Sequence, residues 1–289
     1  MSAKHPIISI TGSSGAGTTT VEQTFKKIFA RENVTASFIE GDAFHRYDRQ
    51  AMKDKIAEEK AAGRDFTHFH ADANELAVLE SVFEDYGRRG KGRTRHYIHD
   101  DDEAEHHGTK PGTFTEWEEF GETDLLFYEG LHGCVVTDEV NLARHCDLKI
   151  GVVPVINLEW IQKIHRDKAT RGYSTEAVTD TILRRMSDYV HFICPQFSLT
   201  DINFQRVPIV DTSNPFIARW IPTPAESILV IRFANPRGID FPYLLSMLHD
   251  SYMSRANSIV VPGDKLDLAM QLIFTPLIHK LLDLKRRAS

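Results

Sequence analysis

Cysteine is scarce in this 289-residue chain, which has three (Cys134, Cys146 and Cys194) in no CxxC or CxxCH spacing. So odd and sparse a set argues against a disulfide scaffold and against a structural zinc site. Long apolar runs are also missing. None approaches the roughly 20 residues that span a bilayer, and the opening MSAKHPIISITGSSG is too short in apolar residues for a signal-peptide core. The expectation is a soluble, cytoplasmic protein with no membrane partner. Nor is there an excess of positive charge: 34 Lys and Arg against 41 Asp and Glu leave −7. Such a balance has no global pull toward nucleic acid, so any phosphate binding must come from a local cluster. Repeats and linker-like stretches are absent too, and the composition, 42% hydrophobic and 26% charged, is that of an ordinary globular chain. The length suits one large α/β domain or two modest ones, and one domain over residues 1–289 is the simpler reading.

What is present begins with order. Ile7–Thr11 is a β-branched run, Gly12–Gly17 is rich in Gly and Ser, Thr18–Arg31 has helical spacing, and Val34–Ile39 reads as a second strand. Strand, glycine turn, helix and strand form the βαβ unit of a parallel sheet. Residues 48–62 and 73–88 read as charged helices. Residues 88–123 read as a long polar loop with a short strand at His96–His99, a length that usually signals a task. Leu125–Tyr128 and Leu148–Pro154 are further buried-type strands, and Asn157–Thr170 and Thr175–His191 read as helices. Beyond Asp201 come short extended pieces, Val207–Val210, Ile228–Phe233 and Ser258–Val261, which favour antiparallel edge strands. A last amphipathic helix runs from about Lys265 to Lys285. The fold class expected is α/β, a mostly parallel P-loop kinase-like sheet flanked by helices, with added antiparallel edge strands.

Gly12-Ser13-Ser14-Gly15-Ala16-Gly17-Thr18-Thr19 fits the P-loop pattern except that Thr18 stands where lysine is usual. Such a loop turns backbone N–H groups toward ATP phosphates, with the helix N-terminus behind them. Thr19 is placed to bring a hydroxyl to Mg²⁺. A plain Gly/Ser turn capping a helix is the competing interpretation, and the missing lysine calls for a cation from elsewhere.

Asp42 closes the second strand, where ligands of open α/β sheets sit, and could accept a proton from an attacking hydroxyl. A helix-capping aspartate is the alternative, but His45, Arg46 and Arg49 beside it suit an anionic substrate. Glu129 ends the strand Leu125–Tyr128, where a P-loop enzyme keeps a metal-orienting acid. Lys163, Arg166 and Asp167 share one helical face, with Arg171 just over a turn beyond. Only Ile161 and Ile164 anchor that helix, and Arg171-Gly172 reads as a hinge. A mobile helix swinging cations over a transferred phosphate would supply what Thr18 lacks. The histidines at 68, 70, 96, 106 and 107 show no pair at zinc-site spacing with an intervening acid.

Together these stretches resemble the phosphoribulokinases of the short bacterial type. TGSSGAGTTT, EGDAFHR, LLFYEGLHG, KIHRDKATRGY, PQFSLTDINFQRVP and VDTSNPFIARWIP follow that family's order over essentially the whole chain. The first and fourth are shared with uridine kinases, while the last two are more specific. The resemblance implies transfer of the γ-phosphoryl of Mg·ATP to O1 of ribulose 5-phosphate, giving ribulose 1,5-bisphosphate in the Calvin cycle. It makes Asp42 the base, with Thr19 and Glu129 on the metal side. His45, Arg49 and Arg171 hold the sugar phosphate, joined by His99 of the YxHDD stretch, for which a solvated loop is equally open. Lys163, Arg166 and Asp167 form the lid side. Threonine at position 18 is itself a feature of the bacterial type. A cysteine-free phosphate loop argues against the thiol switch of the plant type. The bacterial type is usually a homo-octamer activated by NADH and inhibited by AMP, with Arg31, Arg232 and Arg255 as candidates for an anionic effector site.

Two other readings stay open. A nucleoside kinase of the same fold binds a neutral substrate and wants an aromatic platform, for which Phe44 and Tyr47 are the local candidates. A nucleotide-sensing scaffold predicts binding without turnover and has no need of a base such as Asp42.

Overall fold

A computed structural model describes residues 4–13, 17–121 and 123–288, without the side chains of Thr19, Thr170 and Arg171. Ser14, Gly15 and Ala16 of the phosphate loop therefore lie outside the described residues, as do the side-chain roles assigned to Thr19 and Arg171.

The chain opens with β1 (Ile7–Gly12), α1 (Thr18–Glu32), β2 (Ala36–Glu40), α2 (Arg49–Ala61) and α3 (Leu76–Arg89). Next come β3 (Lys91–Thr94), α4 (Asp101–His107), β4 (Glu118–Gly121), β5 (Leu125–Gly130) and β6 (Leu148–Val153). Helices α5 (Ile156–Arg171), α6 (Thr175–Arg184) and α7 (Met186–Asp188) precede β7 (Ile202–Pro208) and β8 (Ser227–Phe233). The chain closes with α8 (Phe241–Met247), β9 (Tyr252–Arg255), β10 (Ser258–Pro262) and α9 (Leu266–Ala288).

Eight strands form one sheet in the order β2-β5-β1-β6-β7-β8-β10-β9. The first five run parallel, and β8, β10 and β9 add antiparallel pairs at the far edge. The expected fold class is what the chain adopts. All six residues of β1 are buried, as a strand covered on both faces requires. Alternation divides the strand side chains between two cores. Ile8, Ile10 and Phe127 pack with Phe25 and Ile28 of α1 and Phe274 and Ile278 of α9. Ile7, Leu126 and Tyr128 pack with Leu79, Val82 and Phe83 of α3. Thus β1 is covered on both faces, by α1 and α9 on one side and by α3 on the other.

Four local expectations are corrected. Region 88–123 is not an unstructured loop: β3 and β4 pair as a separate antiparallel ribbon, with α4 between them. Asp100 caps α4 through the Glu103 N–H, acids fill its first turn and His106 and His107 its last, a charge order that suits the helix dipole and leaves little apolar periodicity to read. His96–His99 is no strand; only Tyr97 forms a single bridge, to Phe114. The strand read at Val207–Val210 is β7, which starts earlier at Ile202 and runs parallel to β6. The helix read through His191 breaks after Arg184 into the short α7 and a wider π turn over Tyr189–Ile193.

Candidate active site

Three parallel strands end level with one another. In register, Glu40 of β2 faces Glu129 of β5, and Glu129 faces Ile10 of β1. The turn carrying Asp42, the acid Glu129 and the phosphate loop therefore gather at the carboxyl edge, where α/β sheets take their ligands. Gly12 has no room for a side chain, because a Cβ there would lie 2.7 Å from Thr18 Cγ2 and 3.0 Å from the Val152 carbonyl oxygen. Gly17 adopts φ 100° as it leads into α1, a conformation that suits glycine. Thr18 is buried and its hydroxyl donates to Glu129, so the residue in the lysine position ties the loop to the strand-end acid. Ser13, also buried, sits within reach of the Glu159 carboxylate on α5.

Asp42 lies in a 3₁₀ turn directly after β2. Its Oδ1 is 3.1 Å from His45 Nε2 and its Oδ2 is 3.5 Å from His99 Nε2. The carboxylate keeps 40% of its surface accessible while the His45 side chain keeps 6%. Asp42 thus stays accessible at the carboxyl edge of the sheet while its partner is buried. Burial raises the Asp42 pKa, but His45, His99 and His68 outweigh it and hold the carboxyl well below the usual range. For His45, burial alone favours the neutral ring, and Asp42 and Asn74 more than restore the charge.

Residues from region 91–121 build the rim. Arg95 donates to the carbonyls of Ala43 and His45 at 2.8 and 2.9 Å, with its guanidinium stacked on Phe114 and Trp117. Arg49 is exposed and donates to the His99 carbonyl at 2.7 Å, while its backbone N–H bonds to Gly112. His99 is brought to Asp42 rather than left in solvent. Phe44 is buried against Trp117, which removes it as a stacking platform, and half-buried Tyr47 meets Phe66 edge-to-face.

Helix α5 brings Lys163, Arg166 and Asp167 together. Lys163 Nζ lies 2.5 Å from Asp167 Oδ2, and the two side chains are 5% and 3% exposed. Arg166 adds a 3.0 Å contact to the other carboxylate oxygen. Burial, with Arg185 and Arg166 nearby, brings Lys163 down to about 8 in spite of Asp167. The expectation of a weakly anchored helix is overturned. Leu158, Ile161 and Ile164 are all buried, and Ile164 packs with Val178 and Ile182 of α6 beside Trp160 and Phe216. Gly172 closes α5 as a left-handed cap. Val178, Ile182 and Phe216 lie on other elements, which is why spacing within α5 did not reveal them.

Glu129 answers a test for a metal. Burial first, then the charges of Asp42, Glu22 and Glu40, lift it to about 7 against the Thr18 hydrogen bond. A hard divalent cation relieves that repulsion, so the oxygen donors fit Mg²⁺. Among the described residues no three His, Cys, Asp or Glu converge as a ready-made metal cluster. This agrees with an ion held largely by phosphates and one or two protein oxygens.

The effector candidates lie elsewhere. Arg232 of β8 and Arg255 of β9 are both in register with Ser258 of β10, forming one exposed row across the antiparallel edge. Arg31 instead bonds Gln271 and Thr275 of α9. Sequence reasoning passed over Asn74, Arg95 and Glu159. Glu159, between Leu158 and Trp160, is a buried acid in an apolar setting; Asn74 and Arg95 carry no such local signal.

Comparison with known proteins bears on the whole chain. Residues 7–213 match the Phosphoribulokinase / Uridine kinase family. The chain is 84% identical over 289 residues to a phosphoribulokinase of Sinorhizobium medicae (strain WSM419), with all of both chains covered. It is 68% identical to phosphoribulokinase 2 of Cereibacter sphaeroides, covering 100% of this chain and 99% of that one. A solved phosphoribulokinase from Rhodobacter spheroides superposes with a TM-score of 0.91 at 66% identity, covering 99% of this chain and all of the other.

Proposed function

Since the chain belongs to the phosphoribulokinase / uridine kinase family, we propose that it is an ATP-dependent kinase that phosphorylates O1 of D-ribulose 5-phosphate, giving ribulose 1,5-bisphosphate, the step that supplies carbon fixation in the Calvin cycle. The observation that carries the reading is Asp42: an ionised carboxylate left accessible at the sheet edge, backed by a buried cation, beside a phosphate loop and ringed by His99 and Arg49. In the reaction the sugar O1 loses its proton to Asp42 and forms a bond to the γ-phosphorus. The bond from that phosphorus to the bridging oxygen breaks, and ADP leaves. A carboxylate held this acidic is a weak base, but a loose phosphoryl-transfer transition state asks mainly for position.

Gly12 through Thr19 would hold the ATP phosphates, and Thr19 with Glu129 would hold Mg²⁺. When bound, that ion neutralises charge on the phosphate oxygens. Lys163 and Arg166, released from Asp167, would meet the transferred group. Arg49, His99 and Arg171 would hold the sugar phosphate, with His45 acting from behind Asp42. We place this site in one domain, residues 1–289; the single large sheet and the packing of α9 on α1 support that. NADH and AMP as effectors at Arg31, Arg232 and Arg255, a homo-octamer and a cytoplasmic location belong to the same proposal; the exposed Arg232 and Arg255 on the antiparallel edge support an anion site there.

The test is ADP release with Mg·ATP on ribulose 5-phosphate and on uridine in parallel, each with and without NADH. Turnover on the sugar phosphate alone is expected. Turnover on uridine alone would move the chain to the nucleoside kinases, and ATP binding without turnover on either would leave a sensing scaffold. The burial of Phe44 counts against the uridine outcome.

A further inference from the structure

His45 is flanked by two acceptors, and the identity of one is fixed by atoms that cannot change roles. Asn74 Nδ2 lies 2.9 Å from the His68 carbonyl oxygen and 2.8 Å from that of His70. Carbonyl oxygens only accept, so both N–H bonds of the amide are committed and Nδ2 cannot be exchanged for Oδ1. Asn74 Oδ1 must then be the atom 2.8 Å from His45 Nδ1, and that nitrogen must carry a proton. On the opposite side of the ring, Nε2 faces Asp42 Oδ1 at 3.1 Å. A neutral imidazole has one N–H and two acceptors to satisfy; only the imidazolium satisfies both. Asn74 is itself buried and joined to His45 by a backbone bridge, so its register is set by the fold.

We propose that Asn74 is a positioning residue for phosphoryl transfer: it holds His45 as a doubly protonated ring whose Nε2–H is aimed at Asp42. The proposal rests on the reading of Asp42 as the base. The same arrangement explains why His45 is no free ligand for a substrate phosphate, since both of its N–H bonds are occupied. The surroundings do not favour the charge by themselves. The His68 ring stacks at 4.2 Å, Tyr97 stands edge-on at 6.0 Å, and buried His132 lies 3.1 Å from the Asn74 amide. Arg185, from the turn after α6, opposes a positive His45, and His132 is kept neutral by its burial, its pKa brought down to about 4. His99 reaches the far oxygen of Asp42, and Arg95 binds the His45 backbone carbonyl rather than the ring. Among the described residues, Asp42 and Asn74 are the chief groups that stabilise the imidazolium, one by charge and one by geometry.

The test uses the full chain labelled with ¹⁵N-histidine, the His45 signal being assigned by its loss in His45→Asn. Asn74→Leu removes the acceptor and should move the deprotonation of His45 to lower pH; Asn74→Asp keeps an acceptor and adds charge, and should move it to higher pH. A merely structural disturbance would move both variants the same way, and that result would overturn the proposal, as would an unmoved titration. If one variant does not fold, the sign of the other still decides. In activity, Asn74→Leu should lower kcat/KM for ribulose 5-phosphate by about tenfold, the scale of a hydrogen bond to a charged group. In a His45→Asn background the same change should cost under about twofold; an equal cost in both backgrounds would show that Asn74 does not act through His45. Undiminished turnover in Asp42→Asn would retire Asp42 as base and leave the His45 titration untouched, so the two failures are distinct.

Discussion

Two ion pairs stand in the candidate site, and they are built in opposite ways. In the turn after β2 the cation is the helper: His45 is buried, locked by Asn74, and the Asp42 carboxylate it serves is left accessible. On α5 the anion is the helper: Asp167 holds Lys163 and Arg166, yet Lys163 is as deeply buried as Asp167. The first pair presents its working group already oriented. On the proposed function the second stores its working group, and Lys163 would exchange Asp167 for phosphate in order to act. Preorganised and stored charge thus meet in one site, and the difference follows from the elements: a short turn exposes a side chain, whereas i,i+4 neighbours on a packed helix satisfy one another.

The largest effect expected from breaking the contrast is on the open side. Asp42→Asn should reduce kcat by about 10²–10⁴ with ATP affinity intact, as loss of a positioned base does. Unaltered turnover by steady-state assay would remove Asp42 from the mechanism. Lys163→Met should come next, lowering kcat by about 10²–10³, the cost of losing one group that meets developing charge. Its KM for ATP should change much less; a shift confined to KM would mean that Lys163 serves binding alone.

Stability should invert the ranking. Removing one partner of a buried pair costs about 3–5 kcal/mol because the other charge is stranded. Asp167→Ala should therefore lower the denaturation midpoint strongly. His45→Asn, whose partner Asp42 remains open to water and which strands only the Asn74 acceptor, should cost less, about 1–3 kcal/mol. Equal losses by chemical denaturation would erase the distinction drawn here.

The smallest expected effect is a pH dependence of the open pair. Asp42 is held below its ordinary value, so its contribution is present above that value and fades as pH falls through the folded one. His45 is held above its ordinary value, so its contribution is full below that value and is lost as pH rises through the raised one. The melting temperature of wild type minus that of His45→Asn should be largest in the mildly acidic range between the two ordinary values. A difference that stays flat from acid to alkaline pH would deny the pair.

Much of this was legible in the sequence. β-branched runs, a glycine turn and an acid at each strand end place Gly12, Asp42 and Glu129 at one sheet edge, because parallel strands must line up their carboxyl ends. Helical spacing groups Lys163, Arg166 and Asp167. Distance along the chain hid the rest. Asn74 stands 29 residues from His45, and Arg95 stands 52 residues from the Ala43 carbonyl it binds. Region 91–121 escaped detection because its helix is stabilised by caps and charge order rather than by an apolar stripe.

By itself, then, the sequence determined which chemistry is available and along which strands it is strung, since periodicity and turn residues act over a few neighbours. The tertiary structure alone decided the state of each charge. Whether His45 is a ligand or a buried imidazolium, and whether Lys163 is presented or stored, depends on groups that only folding brings within hydrogen-bond reach. Desolvation then makes each of those contacts count.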